Sequence, residues 1–173
     1  MPDPVFRLMT LIMGVMDLSR SRIDPRVQTF GIKPGMTVVD YGCGPGRYTV
    51  RFSKRVGEQG RVYAVDIHEL AIAAIGQKRS KLGLRNVTPV LAHGYNTGLP
   101  DHVADVVCAL DMFFMIRQPT EFLQELARIT AQDGRLIIDD GHQPRALTKQ
   151  KIMASGLWTI EQETNDHLVC KLA

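Results

Sequence analysis

Apolar positions along this chain switch repeatedly between a period of two and a helical period. Thr37–Tyr41 is a short β-branched run that ends in glycines and predicts a strand. Arg47–Val56 carries a helical pattern, and 57–60 reads as a loop. The pattern then predicts a strand at Arg61–Asp66, a helix at Glu69–Leu82 closed by Gly83, and a strand at Val87–Ala92. Ala104–Leu110 is apolar almost throughout, as suits a strand buried on both faces. Pro119–Thr130 predicts a helix with Phe122, Leu123, Leu126 and Ile129 on one face. A strand at Arg135–Asp139, a helix at Pro144–Ser155 and strands at Leu157–Gln162 and His167–Leu172 follow.

Strands alternating with helices imply parallel βαβ units with right-handed crossovers. Only residues 163–166 separate the last two strands, which permits a hairpin and excludes a parallel crossover. The expected fold is therefore an α/β, doubly wound, mostly parallel sheet of seven strands, with an antiparallel C-terminal strand. No repeat or linker interrupts it, so 1–173 reads as one domain.

The first 30 residues stand apart. Residues 4–18 are apolar but too short to span a bilayer, and they lack the marks of a secretory signal. Arg7, Thr10, Gly14 and Asp17 fall on one helical stripe, while Met9, Met13 and Met16 belong to the apolar remainder. Such a helix either packs on the body of the protein or covers a substrate as a lid; left exposed, it would favour a homodimer. A break at Ser21–Pro25 leads into a second short helix, with Asp24 as N-cap and Pro25 at the first position.

At 45% hydrophobic and 23% charged residues, the 173-residue chain has the composition of a folded soluble domain. The net charge of +3 is dispersed, which argues against DNA as a partner. The densest basic patch, Arg20 and Arg22 with Arg26 nearby, reads as a solvated turn. Cys43, Cys108 and Cys170 form no disulfide framework, which points to a reducing compartment, the cytoplasm.

The informative segment is Val38–Thr49, where a strand runs into a glycine-rich turn and then a helix. Glycines let backbone approach a ligand, and the helix start offers free N–H groups. In open α/β sheets, ligands sit at the carboxyl ends of the strands, where strand order reverses. The glycines stand at 42, 44 and 46, giving G-x-G-x-G rather than the G-x-G-x-x-G of dinucleotide sites. No Gly-Lys-Ser/Thr phosphate loop follows. The turn suits a nucleoside without a diphosphate.

Asp40-Tyr41-Gly42-Cys43-Gly44-Pro45-Gly46 resembles the D-x-G-x-G-x-G motif of class I S-adenosylmethionine-dependent methyltransferases. It is most similar to the small-molecule branch that includes the quinone-biosynthesis type. Asp66 closing the second strand, the Leu99-Pro100 turn, Asp105-Val106-Val107 and Asp133-Gly134-Arg135-Leu136 extend the resemblance from about Ile32 to the C-terminus, in the family's order. The resemblance implies S-adenosylmethionine as cofactor and a small, partly apolar methyl acceptor. It implies that Asp40 orients the methionine amine, that Gly42 and Gly44 lie under the cofactor, and that Asp66 accepts from both ribose hydroxyls. Ile67 would pack on the adenine. Cys43, Gly46 and Leu110 complete the implied binding set. Tyr95 stands where the family usually has an acid that contacts adenine, so that contact falls to backbone, Tyr95 or Asn96.

Methyl transfer from a sulfonium is an in-line displacement, for which the protein mainly supplies alignment. A base is needed only if the nucleophile must lose a proton. Asp111, closing the fourth strand, and His142, in Asp139-Asp140-Gly141-His142, are the catalytic candidates. Asp111 reads equally as a capping carboxylate. No metal is expected, since one Asp-x-His loop is weak ligation for magnesium. The stretch Met112–Ile116 is apolar and lacks the Asn/Asp-Pro-Pro-aromatic signature of base methylation. A binding module without turnover, an RNA methyltransferase and a nicotinamide oxidoreductase are the competing readings; the last lacks the third fingerprint glycine.

Overall fold

The computed structural model describes residues 3–4 and 23–173. The apolar helix expected over 4–18, with its methionine face, and the Arg20 and Arg22 patch fall in or around a stretch outside the described residues.

The described elements are α1 (Ile23–Gln28), β1 (Thr37–Tyr41), α2 (Thr49–Val56), β2 (Arg61–Asp66), α3 (Glu69–Leu82), β3 (Val87–Leu91), β4 (Ala104–Ala109), α4 (Pro119–Ile129), β5 (Thr130–Ile138), α5 (Arg145–Ala154), β6 (Trp158–Glu163) and β7 (Leu168–Leu172). A single 3₁₀ turn spans Phe113–Met115. The seven strands lie in the order β3-β2-β1-β4-β5-β7-β6. Pairings from β3 through to β5 are parallel, and β7 runs antiparallel to both β5 and β6. The order reverses between β1 and β4, so a crevice opens at the carboxyl ends of those two strands.

Alternate side chains serve opposite faces. Val38, Val106, Cys108, Ile137 and Val169 join one apolar cluster with Val27 of α1, Phe52 and Val56 of α2 and Ile75 of α3. Val39, Tyr41, Val107, Ala109, Leu136, Ile138, Leu168 and Cys170 join the other, with Phe122, Leu123, Leu126 and Ile129 of α4 and Ile152 of α5. The central strands therefore read as continuous apolar runs because both faces are covered. Pro89 lies in β3, at the sheet edge, where a missing N–H costs least.

Boundaries depart from expectation by two residues or more in three places. Helix α2 begins at Thr49, two residues late, because Gly46 takes φ +87° and Arg47 and Tyr48 complete the turn. Asp24 lies inside the first turn of α1 instead of capping it, and its carboxylate accepts from Arg51 Nε at 2.6 Å. Strand β5 begins at Thr130, which pairs with Ala104 directly after α4 ends; the next pairing is Arg135 with Val106, so residues 131–134 bulge out of the ladder.

Leu126 is fully buried between α4 and the sheet. Leu126→Ala should cost about 2–5 kcal/mol in urea unfolding, with an unchanged denaturant slope. A cost below about 0.5 kcal/mol would mean that α4 does not pack as described.

Candidate active site

The turn after β1 is shaped by its neighbours. Gly42 and Cys43 both donate their N–H to the Val65 carbonyl, at 2.8 and 3.0 Å. Gly44 N–H donates to Asp66 Oδ2 at 2.9 Å, while Asp66 Oδ1 accepts from His68 N–H at 2.9 Å. Asp66 does not cap α3; the His68 ring nitrogen Nδ1 does, accepting from Leu70 N–H. A carboxylate has about four acceptor positions, so Asp66 keeps roughly two for a ligand.

The glycines of the turn are not equivalent. A Cβ on Gly46 would stand 2.7 Å from Ile75 Cδ1, so this residue lets the turn pack against α3. A Cβ on Gly44 would meet nothing within 4 Å among the described residues, which leave open space beside the backbone there. Ile67, next to Asp66, leaves 62% of its surface exposed. Cys43 is buried and its thiol is pushed well up by that burial. Leu110 is also buried, in the cluster beneath α1 and α2.

Asp40 is 2% exposed and accepts from the Thr49 hydroxyl at 2.6 Å. Burial raises its pKa to about 7, against the opposing Thr49 hydrogen bond; the nearby Asp66 carboxylate adds to the rise.

A second group of charges closes the other side of the crevice. Asp111 adopts φ +59°, one of two described non-glycine residues with positive φ. Such a conformation costs on the order of 1–3 kcal/mol and persists only where its surroundings impose it. The Asp111 N–H points between both oxygens of Asp139, at 2.9 and 3.0 Å. Asp139 is 4% exposed and also accepts from Gly141 N–H at 3.2 Å and Arg26 Nη2 at 2.6 Å. Burial and the Asp111 carboxylate raise its pKa, while Arg26 pulls it down. The Asp111 side chain stays 42% exposed. It accepts from the Tyr48 hydroxyl at 3.1 Å and lies 3.6 Å from Arg47 Nη1 and 3.7 Å from Arg26 Nη1.

Arg26 is therefore no solvated charge. Its side chain is 15% exposed, and it donates to Tyr48, Asp139 and the Asp166 carbonyl. Burial lowers its pKa, but Tyr48 and the two carboxylates raise it overall. Its neighbours in sequence gave no sign of this role, because each of these hydrogen-bond partners comes from another part of the chain.

The remaining candidates are dispersed. His142 is exposed and edge-on to the Phe114 ring at 4.9 Å. No hydrogen bond links it to Asp111 among the described residues. Tyr95 packs its ring on Phe122 at 5.8 Å, and its hydroxyl accepts from Gln118 N–H. Asn96 Oδ1 accepts from Gly98 N–H, which tightens its own loop. Phe113 points into the core, whereas Met115 is 50% exposed. Asp140 is paired with Arg145 at 2.6 Å, and no group of three His, Cys, Asp or Glu among the described residues can hold a metal ion.

A family model described as "Methyltransferase domain" matches residues 32–170. The chain belongs to the class I S-adenosylmethionine-dependent methyltransferase family. A solved relative, a SAM-dependent methyltransferase from Aquifex aeolicus, is 28% identical, with a TM-score of 0.84, and the match covers 95% of this chain and 98% of that one. A demethylmenaquinone methyltransferase of Bacillus mycoides (strain KBAB4) is 32% identical over 118 residues, 65% of this chain and 48% of that protein. The ubiquinone/menaquinone biosynthesis C-methyltransferase UbiE of Escherichia fergusonii is 31% identical over 118 residues, 66% and 46% of the two chains. The chain thus spans about half the length of the curated relatives it matches. The methyltransferase turn fits a sulfonium nucleoside: open space at Gly44 and acceptor capacity on Asp66 stand beside the exposed apolar face of Ile67.

Asp40 gives the site a pH signature. Its pKa of about 7 in the fold exceeds the 3.8 of an exposed aspartate, so its protonated form favours folding. That contribution is complete below about pH 4 and is lost as pH rises through about 7. In thermal melts without ligand, Asp40→Asn should gain more over wild type at about pH 8 than at about pH 5. An equal difference at both would mean that Asp40 titrates as an ordinary surface carboxyl.

Proposed function

We propose that this chain transfers a methyl group from S-adenosylmethionine to a small, partly apolar acceptor of the quinol class. The observation that carries the reading is the Asp66 carboxylate held against the Gly44 N–H, beside unfilled space and an exposed Ile67. When bound, the cofactor supplies a methyl group already activated on a sulfonium.

The chain's own residues bind and align. Asp66 offers its remaining acceptor positions to the ribose hydroxyls, and Ile67 offers its side chain to the adenine. Gly42, Cys43, Gly44 and Gly46 form the backbone floor. Asp40 meets the methionine ammonium, whose charge favours the ionised carboxylate that burial alone disfavours. The Leu110 backbone and the loop of Tyr95 and Asn96 border the nucleoside. Since Tyr95 turns its ring to Phe122, contacts to the adenine amino group fall to the backbone of that loop.

On the acceptor side, Asp111 is the catalytic residue we favour. Its half-exposed carboxylate accepts the proton that an acceptor hydroxyl loses as its ring becomes nucleophilic. His142 stands on the exposed loop after β5, beside Phe114, and is the second proton acceptor available. Phe114 and Met115 supply apolar surface. The names of the curated relatives support a quinol class of acceptor, and the sequence after β4 lacks the base-methylation signature. No described helix is long and apolar enough to cross a bilayer.

Two measurements test this. Calorimetry with S-adenosylmethionine should show Asp66→Ala binding about ten- to hundredfold more weakly than wild type, as befits loss of a charged hydrogen-bond acceptor. Unchanged affinity would remove Asp66 from the site. Incubation with cofactor and chemically reduced demethylmenaquinone, or with bulk transfer RNA, should add one methyl group to the quinol only, read by mass spectrometry. Methylation confined to the RNA would overturn the acceptor class.

A further inference from the structure

The machinery proposed above uses Asp111 but not the residue that holds it. Asp139 follows β5 just as Asp111 follows β4, and the two strands are neighbours in the sheet. Asp139 is 4% exposed, yet its own loop and two remote segments converge on its carboxylate. Asp111 donates its N–H to both oxygens, Gly141 N–H donates to Oδ1, and Arg26 Nη2 donates to Oδ2. The first contact holds Asp111 in its positive-φ conformation. The second shapes the loop that carries His142 and brings Gly141 against the Phe114 ring, where a Cβ would find no room. The third draws Arg26 in from α1, and Arg26 then reaches the Tyr48 hydroxyl and faces the Asp111 carboxylate.

We infer that Asp139 is the positioning residue of the acceptor subsite: its buried carboxylate sets the backbone of Asp111 and thereby aims the Asp111 carboxylate at the acceptor. An apolar core residue could not do this. Two convergent N–H groups need an acceptor, and the Arg26 guanidinium needs a counter-charge where little water reaches. The inferred role also defines the acceptor chemically. A half-exposed carboxylate at the end of β4 would select an acceptor that carries an O–H or N–H next to the methylated atom. This rests on the methyltransferase reading of the site, and the test separates the two.

Asp139→Ala and the milder Asp139→Asn are compared with wild type after circular dichroism confirms that each is folded. Exchange of the Asp111 amide hydrogen, followed by NMR, should accelerate at least about tenfold in Asp139→Ala and less in Asp139→Asn, which retains one carbonyl acceptor. S-adenosylmethionine affinity by calorimetry should stay within about threefold in both. Turnover of reduced demethylmenaquinone should fall at least about tenfold in kcat, with the KM for the cofactor little changed. Unaltered amide exchange would overturn the clamp. A parallel loss of cofactor affinity would overturn it as well, by making Asp139 a support of the whole crevice. Fast exchange with wild-type kcat would refute the positioning role. A wild type that binds the cofactor but methylates no quinol would instead defeat the acceptor class, and the exchange rates would still decide the clamp.

Discussion

Strand β2 supplies the acceptors on which the glycine turn rests. The Val65 carbonyl takes two consecutive N–H groups, and the Asp66 carboxylate takes the third. A chain leaving a central parallel strand has backbone donors that the regular ladder no longer satisfies. Left buried without partners, each would cost about 1–3 kcal/mol. Because β2 lies beside β1 in register, Tyr41 opposite Val65, the acceptors arrive where those donors emerge. The turn is thereby held open over Gly44. The crevice follows from strand adjacency as much as from glycine.

The far bank obeys a different economy. Asp40, Asp111 and Asp139 crowd the carboxyl ends of β1, β4 and β5, and two of them are nearly inaccessible to water. Carboxylates so placed repel one another, and desolvation raises the pKa values of Asp40 and Asp139. The fold meets this with two arginines and a tyrosine from before and just after the glycine turn: Arg26, Arg47 and Tyr48. A buried ion pair gives little net stability, since desolvation offsets most of the attraction. What this one provides is geometry. It links α1, the α2 entry and the ends of two strands through two carboxylates, Asp139 and Asp111, and it holds Asp111 at positive φ.

Much of this was legible in the residue order. Strand and helix identity followed from period, because a side chain's burial repeats every two or 3.6 residues whatever lies opposite. The hairpin of β6 and β7 followed from a gap too short for a crossover. The glycine turn followed from three glycines after β1, and the acid that ends β2 stands against it, accepting from the Gly44 N–H. Boundaries were less legible where tertiary pairing overrode pattern: Thr130 joins β5 only because Ala104 lies beside it, and the residues between it and Arg135 loop out.

Arg26 marks the limit. In sequence it is a basic residue near two others, with the pattern of a solvated turn. In the fold it lies against an aspartate 113 positions away. Nothing near it along the chain encodes that partner, because an ion pair depends on distance in space, and distance is set only when the sheet has brought the ends of its strands together. Periodicity and turn chemistry are local properties, so the sequence alone determined the layers, the order of elements and the mouth of the site. The buried charges, the conformation of Asp111 and the turning away of Tyr95 were decided by packing between segments remote in sequence.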